Sequence, residues 1–221
     1  MLYQILNIQP GVTAIIGSGG KTSTMLALAK ELPGRVIVCT TTHIKAPEAM
    51  PLYTGEDTAV LTDLLAAHHI VCVGSYTAEN KLTASPIPMA VLTQLADYVL
   101  VEADGSKRLP LKAHLSHEPV IPAEANCRIL LVGVSAFGQH ACAVAHRLDR
   151  FCALAGMQPE EPVLPQHVAR VIQAENLCDL VLVNQVETDA DLDTARALAA
   201  CLPQYPVYAA AVQKNRCQRI L

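Results

Sequence analysis

Short runs of apolar residues recur along the chain, and most are followed by a segment whose apolar positions have helical spacing. The runs are rich in Val, Ile and Leu, and they are apolar at consecutive positions rather than at alternating ones. This pattern is typical of strands that are buried on both faces of a parallel sheet. The predicted strands lie at residues 12–16, 35–39, 69–73, 98–101, 129–134, 180–183 and 206–212.

Helices are predicted between these runs, at residues 21–31, 58–67, 88–95, 145–154, 165–174 and 190–202. Strands that alternate with helices favour a doubly wound α/β fold, in which a mostly parallel sheet lies between two helical layers in a three-layer αβα arrangement. We expect a single domain over residues 1–221. The least regular stretch, at about 105–126, carries several prolines and is predicted to be a substrate loop at the strand ends.

Composition narrows the class of protein. Hydrophobic residues make up 52% of the chain and charged residues 16%, which indicates a large buried core. The net charge is -4 and there is no basic run, so we expect no binding to nucleic acid and none to a membrane. No apolar run reaches the roughly 18 residues of a membrane span, and the eight cysteines include no C-x-x-C pair. These features predict a cytoplasmic protein with reduced thiols.

The first predicted strand leads directly into a glycine-rich segment and then into the first predicted helix. A phosphate-binding loop is expected in this strand, turn and helix context. Backbone N–H groups and the helix N-terminus would surround phosphate oxygens, Lys21 would supply a catalytic positive charge, and the Thr22 hydroxyl would bind Mg²⁺. The predicted nucleotide-binding residues are Gly17, Ser18, Gly19, Gly20, Lys21, Thr22 and Ser23.

This loop departs from the full G-x-x-x-x-G-K-[ST] pattern, because Ile15 occupies the first glycine position. Its compact G-x-G-G-K-T form resembles the loop of amino-acid-adding Mur-type ligases. The alternative interpretation is a glycine turn before a helix, with Lys21 in solvent. The phosphate-binding interpretation is favoured, and it predicts a fold like that of P-loop NTPases with ATP or GTP as the nucleotide.

The strand at 98–101 leads into two carboxylates, Glu102 and Asp104, which alternation places on one side of an extended chain. A triphosphate site needs such oxygens to hold Mg²⁺ and to orient a nucleophile. Either residue could bind the metal while the other acts as a base or contacts a second substrate, so both are predicted as metal ligands and as catalytic residues. The alternative is a polar strand end whose acids cap the next element.

The second predicted strand ends in three threonines followed by a histidine. Neighbouring strand ends of a parallel sheet face the same crevice, so Thr41, Thr42 and His43 are predicted to contact a substrate. Threonine also favours strands, which is the alternative reason for its presence here.

Taken in chain order, these motifs give the sequence a family likeness: it resembles the YqeC-type proteins, accessory factors for selenium-dependent molybdenum hydroxylases. The likeness rests on the loop at 17–22, T-T-T-H-I at 40–44, E-A-D-G-S at 102–106, P-L-K-A at 110–113 and H-E-P-V-I-P at 117–122. It implies a nucleotide-dependent step in the maturation of a selenium-containing or molybdenum cofactor. It also implies that Lys112, His117 and Glu118 bind the second substrate. Ala113 and His114 stand where a proline is expected soon after the lysine.

Two further groups of residues are candidates for ligand binding. Lys107, Arg108 and Lys112 form a cationic cluster that suits a phosphorylated or pterin-like anion, although loop charges of this kind are usually solvated. The segment N-Q-V-E at 184–187 follows an apolar strand and is placed like the N-K-x-D segment that reads the base in GTPases. Asn184 is therefore predicted to bind the nucleotide, with a plain strand-ending turn as the alternative.

Together these features favour an enzyme that binds Mg²⁺ and a nucleoside triphosphate and uses its cleavage to activate or transfer a small anionic cofactor precursor. The alternative is a nucleotide-switched chaperone or metallochaperone that delivers cofactor to a client molybdenum hydroxylase and hydrolyses slowly until the client docks. A binding protein with a vestigial loop would have no triphosphate affinity, and the intact Lys21 and Thr22 argue against it.

Overall fold

The structure is a computed structural model that describes residues 1–47 and 50–221. Its strands are β1 (Gly11–Gly17), β2 (Val36–Thr40), β3 (Leu52–Tyr53), β4 (Ile70–Val73), β5 (Ser75–Tyr76), β6 (Leu82–Thr83), β7 (Tyr98–Glu102), β8 (Leu111–Lys112), β9 (Ala125–Gly133), β10 (Ala145–His146), β11 (Leu180–Asn184), β12 (Val207–Ala211) and β13 (Arg216–Arg219). Its helices are α1 (Leu2–Ile5), α2 (Lys21–Glu31), α3 (Thr58–Ala67), α4 (Met89–Leu95), α5 (Ala141–Val144), α6 (Leu148–Ala155), α7 (Pro165–Glu175) and α8 (Asp189–Ala200). Short 3-10 turns lie at Val134–Ala136 and Val212–Lys214.

The largest sheet has nine strands in the order β13, β12, β11, β9, β1, β7, β2, β4, β3. Its neighbours are parallel except for β12 and β13, which are antiparallel. Both Ile15 of β1 and Thr40 of β2 lie opposite Glu102 of β7, so these three strands end side by side at one edge. This mostly parallel sheet with helices around it confirms the predicted α/β fold.

Apolar side chains form a buried layer on each face of the sheet. One layer packs against α3, α4, α6, α7 and α8, and its members include Leu61, Leu92 and Phe151. The other packs against α1 and α2 and includes Met25 and Leu28. Burying one side chain of this size stabilises a fold by about 1.5–3 kcal/mol. The two layers thus hold the central strands, and the residues at their ends, in a fixed arrangement.

The helix predicted at 145–154 is wrong in its first residues. Ala145–His146 forms strand β10, which pairs in parallel with β8, and α6 begins only at Leu148. Arg147 separates the two elements with a left-handed backbone, at φ 62. Helical spacing could not predict this break, because the partner strand β8 is distant in the sequence and periodicity reports only on local structure.

No pattern in the sequence predicts the shortest elements, α1, α5, β3, β5, β6, β8, β10 and β13. Each is two to four residues long, which is too short to give a periodic signal. Among the helices of the described residues, none is long and apolar enough to cross a membrane.

Candidate functional site

The glycine-rich loop connects the end of β1 to the start of α2 over the edge of the sheet. Its first two amides are held by the protein: the Gly17 N–H donates to Asp104 Oδ2 at 2.8 Å, and the Ser18 N–H donates to the Leu131 carbonyl at 3.0 Å. Gly19 has φ +96, and a Cβ atom there would lie 2.3 Å from the Gly133 nitrogen. The loop therefore passes so close to β9 that only glycine fits at this position.

The N-terminus of α2 begins at a glycine and has no side-chain cap. Gly20 is the N-cap residue, with a left-handed backbone at φ 114 and no side-chain capping hydrogen bond. The first N–H groups of a helix lack partners inside the helix, and they carry its partial positive charge. Ser23 lies half-buried in this first turn. The first amides of α2 therefore form a group of donors that suits a phosphate.

Asn184, at the end of β11, supports the loop from the side. Its Nδ2 donates to the Gly19 carbonyl at 2.8 Å, and its Oδ1 accepts from the Val212 N–H at 3.2 Å. Both ends of the amide are therefore used to tie the loop to the segment after β12. The structure brings Asn184 to the predicted nucleotide site, where it contacts the loop backbone.

Lys21 lies between the loop and the acidic strand end, and its side chain is only 3% exposed. Its Nζ donates to the Gly17 carbonyl at 2.8 Å and to Ser106 Oγ at 3.2 Å. The same atom lies 3.1 Å from Asp104 Oδ1 and 3.9 Å from Glu102 Oε1. The ammonium group is thus surrounded by oxygen atoms at the point where the predicted catalytic residues meet.

The Thr22 hydroxyl donates to Glu102 Oε2 at 2.7 Å. Burial raises the pKa of Glu102, and this effect outweighs the lowering by the Lys21 charge and the Thr22 hydrogen bond. A hydroxyl and a carboxylate oxygen at this separation are hard donors of the kind that Mg²⁺ prefers. Within residues 1–47 and 50–221, no group of three or more His, Cys, Asp or Glu could hold a metal ion.

Asp104 is fully buried and has a different set of partners. His114 Nε2 lies 2.7 Å from its Oδ2, the atom that also accepts from the Gly17 N–H. Burial alone would raise the pKa of Asp104, but the His114 hydrogen bond and the charges of two lysines outweigh it and lower that pKa. Asp104 is thus held as an ionised anchor under the loop.

His114 bridges Asp104 to α7. Its Nδ1 lies 2.7 Å from Glu175 Oε2, and its backbone N–H donates to Glu175 Oε1 at 2.6 Å. Burial lowers the pKa of His114, but the hydrogen bonds with both carboxylates outweigh burial and raise it. Both hydrogen bonds favour the protonated imidazole, which can donate from each ring nitrogen.

Lys112 and Glu118 form a second charged group beside the first. The Lys112 Nζ donates to the Gly105 carbonyl at 2.6 Å and lies 2.9 Å from Glu118 Oε2, while Arg147 lies 2.6 Å from Glu118 Oε1. Burial raises the pKa of Glu118, but Arg147 and Lys112 outweigh it and lower that pKa to about 2. Lys112 also lies 3.6 Å from Asp104, so the two predicted substrate residues adjoin the loop.

The threonines at the end of β2 tie the strand ends together. Thr40 Oγ1 and the Thr41 N–H both donate to the Glu102 carbonyl, at 2.8 and 3.2 Å, and Thr41 Oγ1 donates to the Val120 carbonyl at 2.6 Å. The Thr42 N–H donates to Thr40 Oγ1 at 3.0 Å. These bonds place Thr41 and Thr42 beside the acidic strand end. The Thr41 hydroxyl and the Thr42 N–H already donate to protein atoms.

Two predicted histidines lie at the margin of the site. His43 is exposed. The His117 side chain is 70% exposed, and its Nε2 lies 3.9 Å from Glu118 Oε1. Among the described contacts, neither histidine pairs with Lys21.

Sequence reasoning missed four residues of this network: Ser106, His114, Arg147 and Glu175. His114 gives one usable signal, since it is a titratable residue that directly follows the P-L-K-A motif at 110–113. Glu175 gives none, because a glutamate at the end of an amphipathic helix is usually solvent-exposed.

Two comparisons with known proteins bear on this site. A family model described as YqeC protein matches residues 13–149, more than half of the chain, and spans the loop and the acidic strand end. A protein of Escherichia coli (strain K12), described as Uncharacterized protein YqeC, is 33% identical over 162 residues. That match covers 69% of this chain and 63% of the relative.

Proposed function

The chain belongs to the YqeC family, as its sequence motifs predict, and we propose that its glycine-rich loop binds a nucleoside triphosphate together with Mg²⁺. The observation that carries this proposal is the position of Lys21 and Thr22. The Lys21 ammonium lies over the loop, 2.8 Å from the Gly17 carbonyl, and the Thr22 hydroxyl lies 2.7 Å from a Glu102 carboxylate oxygen. A loop of this shape, one cation and a hydroxyl–carboxylate pair are the parts that triphosphate binding requires.

Each part has a defined task in this proposal. The first amides of α2 bind the polyphosphate, and the Lys21 ammonium stays beside Asp104 while it redirects a donor from the Gly17 carbonyl or Ser106 to phosphate oxygens. Thr22 and Glu102 hold the metal, which neutralises charge that develops on the phosphates. Catalysis then comes from positioning and electrostatic stabilisation rather than from a covalent intermediate.

The acceptor in this proposal is water or a small anionic substrate. Lys112 and Arg147 are cations beside the site that could bind its anionic group, and Glu118 lies between them. The family resemblance extends the proposal to the maturation of a selenium-containing or molybdenum cofactor, or of the hydroxylase that contains it. ATP and GTP are both candidate nucleotides.

A nucleotide-switched chaperone is the second candidate, and one observation favours it. Lys21 is already paired with Asp104 Oδ1 at 3.1 Å and bonded to Ser106 Oγ at 3.2 Å. Phosphate oxygens must compete with these groups, which favours slow basal turnover until a client protein shifts the balance. The client in this case is a molybdenum hydroxylase.

Release of phosphate from ATP and GTP, with and without Mg²⁺, tests both candidates. We expect Mg²⁺-dependent release by the wild type and a loss of about tenfold or more in Lys21→Ala and Glu102→Gln. Lys30→Ala, an exposed lysine on the same helix, is the matched control and should retain the wild-type rate. Equal rates in the wild type and Lys21→Ala would contradict the proposal. An increase of tenfold or more on adding purified molybdenum hydroxylase would favour the chaperone.

A further inference from the structure

A buried chain of hydrogen bonds leads from the end of α7 to the glycine-rich loop. Glu175, the last residue of α7, contacts His114 at 2.7 Å, and His114 contacts Asp104 at 2.7 Å. Asp104 then accepts from the Gly17 N–H at 2.8 Å and lies 3.1 Å from the Lys21 Nζ. The side chains of Asp104, His114 and Glu175 are 0%, 2% and 5% exposed. Among the described residues, Asp104 Oδ1 has no hydrogen-bond partner and meets Lys21 as an ion pair, while the hydrogen bonds of the other members favour a single arrangement.

Asp104 is the junction between this chain and the loop. One carboxylate oxygen, Oδ2, serves both His114 and the Gly17 amide, and the other faces Lys21. The orientation of the carboxylate therefore determines the positions of two groups, the Gly17 amide at the start of the loop and the Lys21 ammonium. An aspartate side chain can rotate about two bonds, and the contact of Oδ2 with His114 is the shortest of those that favour a single orientation.

His114 has no atom left for a ligand. Nε2 faces Asp104, Nδ1 faces Glu175, and the backbone N–H also donates to Glu175. The paired contacts from Glu175 fix both the backbone and the plane of the ring. Because both ring nitrogens and the backbone N–H of His114 already have partners, His114 acts on the loop through Asp104 and does not contact substrate.

We propose that His114 and Glu175 are positioning residues of the phosphate site, and that they hold the Asp104 carboxylate in the orientation that places the Gly17 amide and the Lys21 ammonium. This inference rests on the proposed triphosphate binding for its effect on affinity. The effect of His114 and Glu175 on the Gly17 amide exists in the free protein and does not depend on any nucleotide.

Two substitutions of His114 distinguish the contribution of its Nε2 contact from that of its Nδ1 contact. The amide nitrogen of glutamine reaches roughly as far as Nε2, so His114→Gln keeps a donor for Asp104. Asparagine reaches only as far as Nδ1, so His114→Asn keeps a donor for Glu175 and loses the contact with Asp104. We expect His114→Asn to weaken binding of Mg²⁺–ATP or Mg²⁺–GTP by about tenfold, and His114→Gln to weaken it by less than about threefold.

A double-mutant cycle with Lys21→Ala distinguishes positioning from general destabilisation. If His114 acts by placing Lys21, His114→Asn should cost about tenfold in the wild-type background and less than about twofold in the Lys21→Ala background. An equal loss in both backgrounds would overturn the inference. Asp179→Asn, which breaks the distant pair of Arg128 and Asp179 (2.6 Å), controls for lost stability and should leave affinity unchanged.

The proton resonance of the Gly17 amide gives a second readout without nucleotide. An N–H that donates to a carboxylate resonates downfield, and we expect it to move upfield in His114→Asn but to stay in place in His114→Gln and Asp179→Asn. If His114→Asn does not fold, Glu175→Gln is measured in its place. A neutral amide at residue 175 weakens the hydrogen bond to the His114 imidazole, so the Gly17 resonance should move in the same direction. An unmoved Gly17 resonance would refute the inference. Absence of triphosphate binding by the wild type would refute the proposed function alone.

Discussion

A methyl group added at Gly19 tests the close approach of the loop to β9. Gly19 has φ +96, and its added Cβ would meet Gly133 nitrogen at 2.3 Å and Gly133 Cα at 2.6 Å. Both atoms are backbone, so no side-chain rotation can relieve the contact. Two other glycines separate the components of this effect. Gly138 has φ +79 and Gly105 has no positive φ, and at both positions a Cβ would have no described atom within 4 Å.

The magnitudes follow from these environments. A left-handed backbone costs an alanine about 1–2 kcal/mol, and forcing atoms into a well-packed region costs about 1–3 kcal/mol more. Gly19→Ala should therefore lower the free energy of unfolding by roughly 2–5 kcal/mol, and Gly138→Ala by about 1–2 kcal/mol. Gly105→Ala should lie within about 0.5 kcal/mol of the wild type.

Urea unfolding followed by circular dichroism measures all three variants against the wild type, with the midpoint and the slope fitted separately. We expect the midpoints to fall in the order Gly105→Ala, Gly138→Ala, Gly19→Ala with an unchanged slope. If Gly19→Ala were as stable as Gly138→Ala, the loop would not lie against β9 as described, and the reasoning would be refuted.

Two further predictions concern individual side chains of the site. Thr22→Val removes the hydroxyl that contacts Glu102 at 2.7 Å, and it should raise the Mg²⁺ concentration needed for half-maximal triphosphate binding by about tenfold. Thr22→Ser keeps the hydroxyl and should stay near the wild type. Equal Mg²⁺ requirements for all three proteins would exclude Thr22 as a ligand. The pKa of Glu118 is lowered from 4.5 to about 2, so its ionised form stabilises the fold above pH 4.5 and this contribution is lost as the pH falls toward 2. The difference in free energy of unfolding between the wild type and Glu118→Gln should follow that course in acid titrations, and a difference independent of pH would contradict it.

The strands and the loop could be predicted because their signals are local. Each central strand is a continuous apolar run, and the glycine-rich motif is seven consecutive residues, 17–23, at the junction of a strand and a helix. The bridge from His114 to Glu175 could not be predicted, because the two residues are 61 positions apart and meet only when α7 packs on the sheet. The break at Arg147 has the same cause, since β10 exists only through its pairing with β8.

The two acids at the end of β7 show how the fold separates residues that look equivalent in sequence. Alternation places Glu102 and Asp104 on one side and leaves their tasks open. In the structure, β7 ends at Glu102, whose carboxylate reaches Thr22, while Asp104 follows the strand and turns under the loop to Gly17 and His114. Glu102 is therefore the better placed of the two for a metal, and Asp104 for anchoring the loop.

Calorimetric titration of the wild type and Lys21→Ala with ATP, GTP and their diphosphates, with and without Mg²⁺, tests the central claim most directly. A hydrogen bond to a charged group contributes about 1.5–3 kcal/mol, which corresponds to a factor of roughly 10–100 in affinity. We expect the wild type to bind a triphosphate with Mg²⁺ and Lys21→Ala to bind it weaker by that factor, with Lys30→Ala unchanged. Equal affinities in the wild type and Lys21→Ala, or no binding of any nucleotide by the wild type, would contradict the claim.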